Sequence, residues 1–138
     1  MKDFLGERIP GAPNFKWQEA LYLPQWNIHV YPTEEQTDNI LALAHVLQKI
    51  RVIVNAPMMV QSWVRPPKYN VLIGGAEFSW HMTGGACDFR CPGISGDELR
   101  EIIKPHLETL NIRMEDLPGA SWVHVDNKET NGARFFKP

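Results

Sequence analysis

His81, Asp88 and His124 are the side chains of this sequence whose types and settings best suit chemistry. Two imidazoles and a carboxylate are what a catalytic zinc ion uses when it keeps a fourth position open for water. His81 is followed by Gly84 and Gly85 and, seven positions on, by Asp88, which closes an Ala86-Cys87-Asp88 run of strand character. His124 sits in Trp122-Val123-His124-Val125-Asp126, where strand alternation turns the imidazole to the face opposite Val123 and Val125. A histidine and an aspartate seven residues apart are common by chance, so spacing alone does not decide for a metal. The other three histidines stand in plainer settings. His45 and His106 fall on helical stretches, where most histidines are surface or partly buried residues, and His29 has no acidic or sulfur partner at metal spacing. Cys87 adjoins Asp88, but neighbouring strand residues face opposite ways, so its sulfur is expected in the core, and a zinc site of Cys87 and Cys91 is the less favoured alternative.

The elements that must position these groups follow from periodicity and turn chemistry. Residues 1–35, rich in Pro, Asn, Trp and Tyr, read as a segment wrapping the domain, with turns at Pro10-Gly11 and Pro13-Asn14 and a short helix from Phe15 to Leu21. Thr33 can cap a helix over 34–52, whose first turn carries Glu34 and Glu35 and whose Ile40, Leu41, Ala44, Leu47 and Ile50 recur at helical spacing. Met58 to Trp63 reads as a strand stopped by Pro66-Pro67, the stretch from Val71 ends in the Gly74-Gly75 loop, and a second strand falls near Ala86 to Arg90. Asp97 opens a second helix, Glu98 to about Leu110, with Pro105 as a break or kink. Two short strands, Asn111 to Asp116 and Ser121 to Asp126, then flank the turn-forming Leu117-Pro118-Gly119-Ala120. Helix, strands, helix and hairpin in that order predict a single α+β domain over 1–138.

Composition narrows the function classes. A chain of 138 residues with 43% hydrophobic and 22% charged residues is large enough to bury a core without staples. The formal charge of -2 and a pI near 6.2 leave no basic excess for neutralising phosphates, which argues against a nucleic-acid partner. Two cysteines four residues apart cannot close a useful loop. No run has the length of a signal peptide or of the roughly 20 apolar residues of a membrane span. The expectation is a monomer that is cytoplasmic at synthesis and does not insert into membranes.

Ser79-Trp80-His81-Met82-Thr83-Gly84-Gly85-Ala86-Cys87-Asp88 fits Ser-x-His-x-x-Gly-x-Ala-x-Asp. Together with the later Trp-Val-His-Val-Asp, it resembles the zinc D-alanyl-D-alanine carboxypeptidase family, whose relatives include vancomycin-resistance dipeptidases, phage cell-wall endopeptidases and the hedgehog signalling domain. Upstream, Ser62 to Asn70 followed by Gly74-Gly75-Ala76 resembles the family's substrate-arginine segment and Gly-Gly loop, Leu43 to Arg51 the preceding helix, and Asn14-Phe15 with Glu19 the usual opening. The likeness runs in order over roughly 14–126. It implies a small antiparallel sheet with helices on one side, zinc ligands His81, Asp88 and His124, and Arg65 as the substrate-binding and oxyanion-stabilising group. A permanently charged guanidinium that forks onto a carboxylate or developing oxyanion suits that role. Ser79 is a candidate for a substrate hydrogen bond, with a turn hydroxyl bonded to local backbone as the alternative. The implied activity is hydrolysis of an amide in peptidoglycan stem peptides or cross-links, with release of a phage-lysis type. A zinc-stabilised binding module without catalysis is the alternative.

One position departs from the pattern. Several branches of the family carry Glu or Asp three residues before the last histidine, where this chain has Ser121, and a serine cannot take a proton from water at neutral pH. If the hairpin loop is Leu117 to Ala120, Asp116 pairs with Ser121, Glu115 with Trp122 and Arg113 with His124. That register puts Glu115 on the histidine's side as the general base and turns Asp116 away, and a loop longer by one residue reverses the two. Asp126, two residues past His124 on the same face, can instead orient an imidazole.

Overall fold

The computed structural model describes residues 4–138. Two short hairpins, β1 (Arg8–Ile9) with β2 (Ala12–Lys16) and β3 (Tyr22–Leu23) with β4 (Ile28–His29), flank helix α1 (Trp17–Leu21). The expected helix therefore begins two residues late: Ala12–Lys16 pairs with β1, and the Lys16 N–H donates to Glu19 Oε1 (2.8 Å) where the strand gives way to the helix. Of the 1–35 segment, residues 1–3 lie outside the described residues; Asn14 and Gln48 bond each other across to the next helix. That helix, α2 (Glu34–Val54), is opened by Thr33 and Gln36, whose side chains satisfy each other's backbone N–H, and closed by Asn55 in the left-handed region. Its Ile40, Leu43, Ala44, Leu47 and Ile50 are fully buried.

The remaining strands form a five-stranded sheet in the order β5 (Met59–Ser62), β6 (Ala86–Arg90), β8 (Val123–Asp126), β7 (Arg113–Glu115), β9 (Phe135–Phe136). All neighbours are antiparallel except β9, which runs parallel to β7. Cys87, Phe89, Val123 and Val125 point to one face and join the core with the apolar sides of α2 and α4 (Gly96–Ile103). Asp88 and His124, which are directly paired, share the other face.

Helix α3 (Pro67–Leu72) occupies a stretch that sequence reading left without an element; Pro66 precedes it and Pro67 takes the first helical position, where a missing N–H costs nothing. Ser95, not Asp97, caps α4, accepting from the Glu98 N–H (3.1 Å), while Asp97 lies in the first turn. Pro105 interrupts the helix as foreseen: a 3-10 turn over Lys104–His106 separates α4 from α5 (Leu107–Leu110).

The hairpin register also departs from expectation. Arg113 pairs with Asp126, not His124, and Met114 with Val125, a slip of two residues. The turn is where it was expected, with Ala120 N–H bonded to Leu117 C=O (3.1 Å), but the strands do not close down to it. Asp116 gives its N–H to Phe136 C=O (2.6 Å) on β9, so Asp116 does not pair with Ser121. On the other arm the buried Arg100 of α4 holds Ala120 C=O (2.9 Å) and Trp122 C=O (2.8 Å), drawing that stretch out of the ladder. A slip of two preserves faces, so Glu115, no longer paired with Trp122, falls opposite His124.

Candidate metal centre

His81 stands on a 3-10 turn, Trp80–Thr83, and the turn is clamped from two sides. From α2, Gln36 Nε2 donates to Met82 C=O (3.1 Å) and Asn39 Nδ2 to Thr83 C=O (3.0 Å). From the segment after β5, Arg65 N–H donates to His81 C=O (3.0 Å) and the buried Trp63 indole to Gly84 C=O (2.9 Å). Gly84 closes the turn at φ +85°, and a Cβ there would meet the Gln36 carbonyl oxygen at 2.9 Å, so only glycine fits between turn and helix. Asp88 and His124 come from β6 and β8, adjoining strands that are each paired on both edges.

The three side chains converge: one donor atom from each lies within 4.8 Å of the others, the only such group of three among the described residues. His81 Nε2 is 3.2 Å and His124 Nδ1 2.8 Å from Asp88 Oδ1. The outer nitrogen of each ring is committed elsewhere. His81 Nδ1 lies 2.8 Å from the Trp63 carbonyl, which can only accept, so this nitrogen carries the proton. His124 Nε2 lies 2.9 Å from Asp126 Oδ2, and Asp126 also takes Arg113 Nε (2.8 Å), Arg113 Nη2 (2.9 Å) and the Lys128 N–H (3.2 Å). Burial pushes the Asp126 carboxyl up, but the bonds from His124 and Arg113 outweigh it and hold the group ionised, below the usual range. In the neutral rings the inner nitrogens are therefore lone pairs facing a carboxylate oxygen. Three acceptors aimed at one another repel unless a cation lies among them, and a divalent metal with nitrogen and oxygen ligands resolves the conflict. Protons are the alternative: burial lowers the His124 pKa, yet the bonds to Asp126 and Asp88 raise it to about 9, while the same contacts drive Asp88 far below the carboxylate range against its own burial. The donor set and its supports fit zinc.

The group opens on a cleft of ≈ 520 Å³ lined also by Arg65, Ser79, Trp80, Arg113, Glu115, Trp122 and Lys128. Arg65 Nη2 donates to Ser79 Oγ (3.4 Å), its Nε is buried without a partner, and its pKa is drawn down by burial and back up by Asp88. Ser79 Oγ accepts from the His81 N–H (3.3 Å) as well, so it does the local turn bonding and touches the arginine at once. Glu115 Oε1 lies 3.8 Å from His124 Nε2, on the ring edge away from Asp88. Asp116 is bonded to Lys137 (3.1 Å) and does not line the cleft; Ser121 lines a separate groove with Ile94, Ser95 and Asp97. Cys87 and Cys91 are buried, unbridged thiols, and Cys87 lies in the core on the face away from Asp88. Of the tryptophans, Trp63 is core, whereas Trp80 and Trp122 line the cleft. Sequence reading missed Phe136, whose ring stacks on Arg113 at 4.0 Å; nothing local marks the short β9 that carries it.

A family model described as Peptidase M15 matches residues 18–126, a span that holds all three converging side chains and Arg65. The chain belongs to the peptidase M15 family. A comparison with curated proteins gives no match. Members of the M15 family are zinc-dependent, D-Ala-D-Ala carboxypeptidase-like peptidases, so membership makes this chain a metallopeptidase acting on a peptide substrate, with a buried His-Asp-His group consistent with the zinc site. Among the described residues no helix is long and apolar enough to cross a membrane.

Proposed function

We propose that this M15 peptidase hydrolyses an amide bond in peptidoglycan stem peptides or cross-links, with zinc held by His81, Asp88 and His124. The observation that carries the reading is the pair of tautomer locks, Trp63 C=O on His81 and Asp126 on His124, which turn two lone pairs toward Asp88 at the floor of a cleft. Zinc bound there would polarise the scissile carbonyl and lower the pKa of the attacking water. Arg65, which lines the cleft with a weakly engaged Nη2, binds a substrate carboxylate or the carbonyl oxygen as it gains charge. Glu115 is the general base. Of the three carboxylates lining the cleft, Asp88 faces both imidazoles and Asp126 has four hydrogen bonds, which leaves Glu115 as the one without a hydrogen bond among the described residues. From its place in the cleft beside His124, Glu115 would take the proton of the attacking water and return it to the leaving amine.

Mass spectrometry of muropeptides after digestion, with and without a chelator, tests the reading and names the bond. Chelator-sensitive loss of a terminal residue or of a cross-link supports it. A zinc-loaded protein that leaves peptidoglycan untouched supports instead the binding-module reading, whose support is Ser121 in place of the acid that several branches of the family carry. His81→Ala or Asp88→Ala should abolish zinc retention by elemental analysis; full zinc in both variants overturns the ligand set.

A further inference from the structure

Six charged side chains line the cleft, and their partners divide them. Arg113 is taken up by Asp126 through two hydrogen bonds, and Asp88 faces the imidazoles. Glu115 is the remaining anion. Two cations, Arg65 and Lys128, have no carboxylate within ion-pair distance among the described residues. They flank one stretch of wall: Arg65 reaches Ser79, and the Lys128 ammonium lies 5.9 Å from the centre of the neighbouring Trp80 ring. That wall is built, not loose. Asn127 Oδ1 accepts from the Trp80 indole (2.8 Å), Asn127 N–H donates to Gly85 C=O (3.0 Å), and Lys128 N–H donates to Asp126 Oδ1, so the backbone under Lys128 is fixed to the same residues that brace His124.

We propose that Lys128, on the wall fixed by Trp80 and Asn127, forms a carboxylate subsite, so that the cleft selects an acidic peptide with two anionic groups, one for Arg65 and a side carboxylate for Lys128. The inference rests on the peptidase reading above. With Arg113 and Asp126 cancelling, the wall carries two uncommitted positive charges against the single uncommitted Glu115, and a dianionic substrate meets both. Replacing the side carboxylate by a carboxamide keeps shape and hydrogen bonding but removes the charge, so it isolates the ammonium's contribution.

The test uses the zinc-loaded full chain and two synthetic stem-type pentapeptides ending in D-Ala-D-Ala, identical except that a γ-linked glutamate carries its free carboxylate as acid or as amide. Both kcat/KM and, by calorimetry, Kd are measured at two salt concentrations. The unmodified protein should prefer the acid about three- to tenfold, less at high salt. Lys128→Met should bring the ratio close to one with zinc content unaltered, and Lys128→Arg should keep it. No preference in the unmodified protein, or the same preference in Lys128→Met, overturns the subsite. If neither peptide is cleaved, the peptidase reading fails on these substrates while the ratio of Kd values still decides the subsite; binding of neither peptide overturns both.

Discussion

The imidazole of His124 touches more of the site than any other side chain: Asp88 on one nitrogen, Asp126 on the other, and Glu115 beside it. Its raised pKa has a direct consequence for metal uptake, because zinc must displace the proton. Lowering the pH from about 9 to 7 should weaken zinc binding by roughly tenfold per unit for the one proton displaced, measured by competition with a chromophoric chelator; a flat profile would show that His124 is neutral in the metal-free site. The sign for stability runs the other way. In the metal-free chain the folded pKa lies above the ordinary 6.5, so protonated His124 contributes stability in full below pH 6.5 and loses it as pH rises through about 9. For turnover, Glu115→Gln should cost about 100-fold or more with zinc unchanged. Asp116→Asn should change the rate less than about threefold, since that carboxylate faces Lys137 outside the cleft. Equal losses in steady-state kinetics would remove Glu115 from the mechanism.

At the scale of elements, α2, β6 and the Pro105 break were legible because each rests on a local rule: a capping pair, alternation, a missing N–H. The three converging residues could be named because motif order is a one-dimensional signal. The hairpin register was not legible, since what sets it is Arg100 on α4 and Phe136 on β9, both remote from the turn. The face of Glu115 survived the error only because the slip is even. Arg100 thus serves as the brace that holds the Ala120–Trp122 arm off the ladder, and removing it leaves two carbonyls without their donor. Arg100→Met should destabilise the fold by about 2–3 kcal/mol, read as a shift of the urea midpoint at constant slope. A neutral result would mean that water replaces the guanidinium at both carbonyls. Helix α3 and β9 escaped notice for a related reason, being too short to show a period.

Across the whole molecule, the centre ties together segments far apart in sequence: α2 through Gln36 and Asn39, the Trp63–Arg65 stretch, and strands β6 and β8. Metal binding should therefore stabilise the domain as a unit. Zinc present at a thousand times its dissociation constant adds about 4 kcal/mol, so chelation should lower Tm on the order of 10–15 °C for a chain of this size, visible by calorimetry as a shift of one transition; an unchanged Tm would detach the centre from the fold. The parallel strand β9 carries the outermost link of the centre. Phe136 backs Arg113, Arg113 grips Asp126, and Asp126 orients His124. A peptidase can thus be loosened at its metal by a ring that stands three contacts away from any ligand atom.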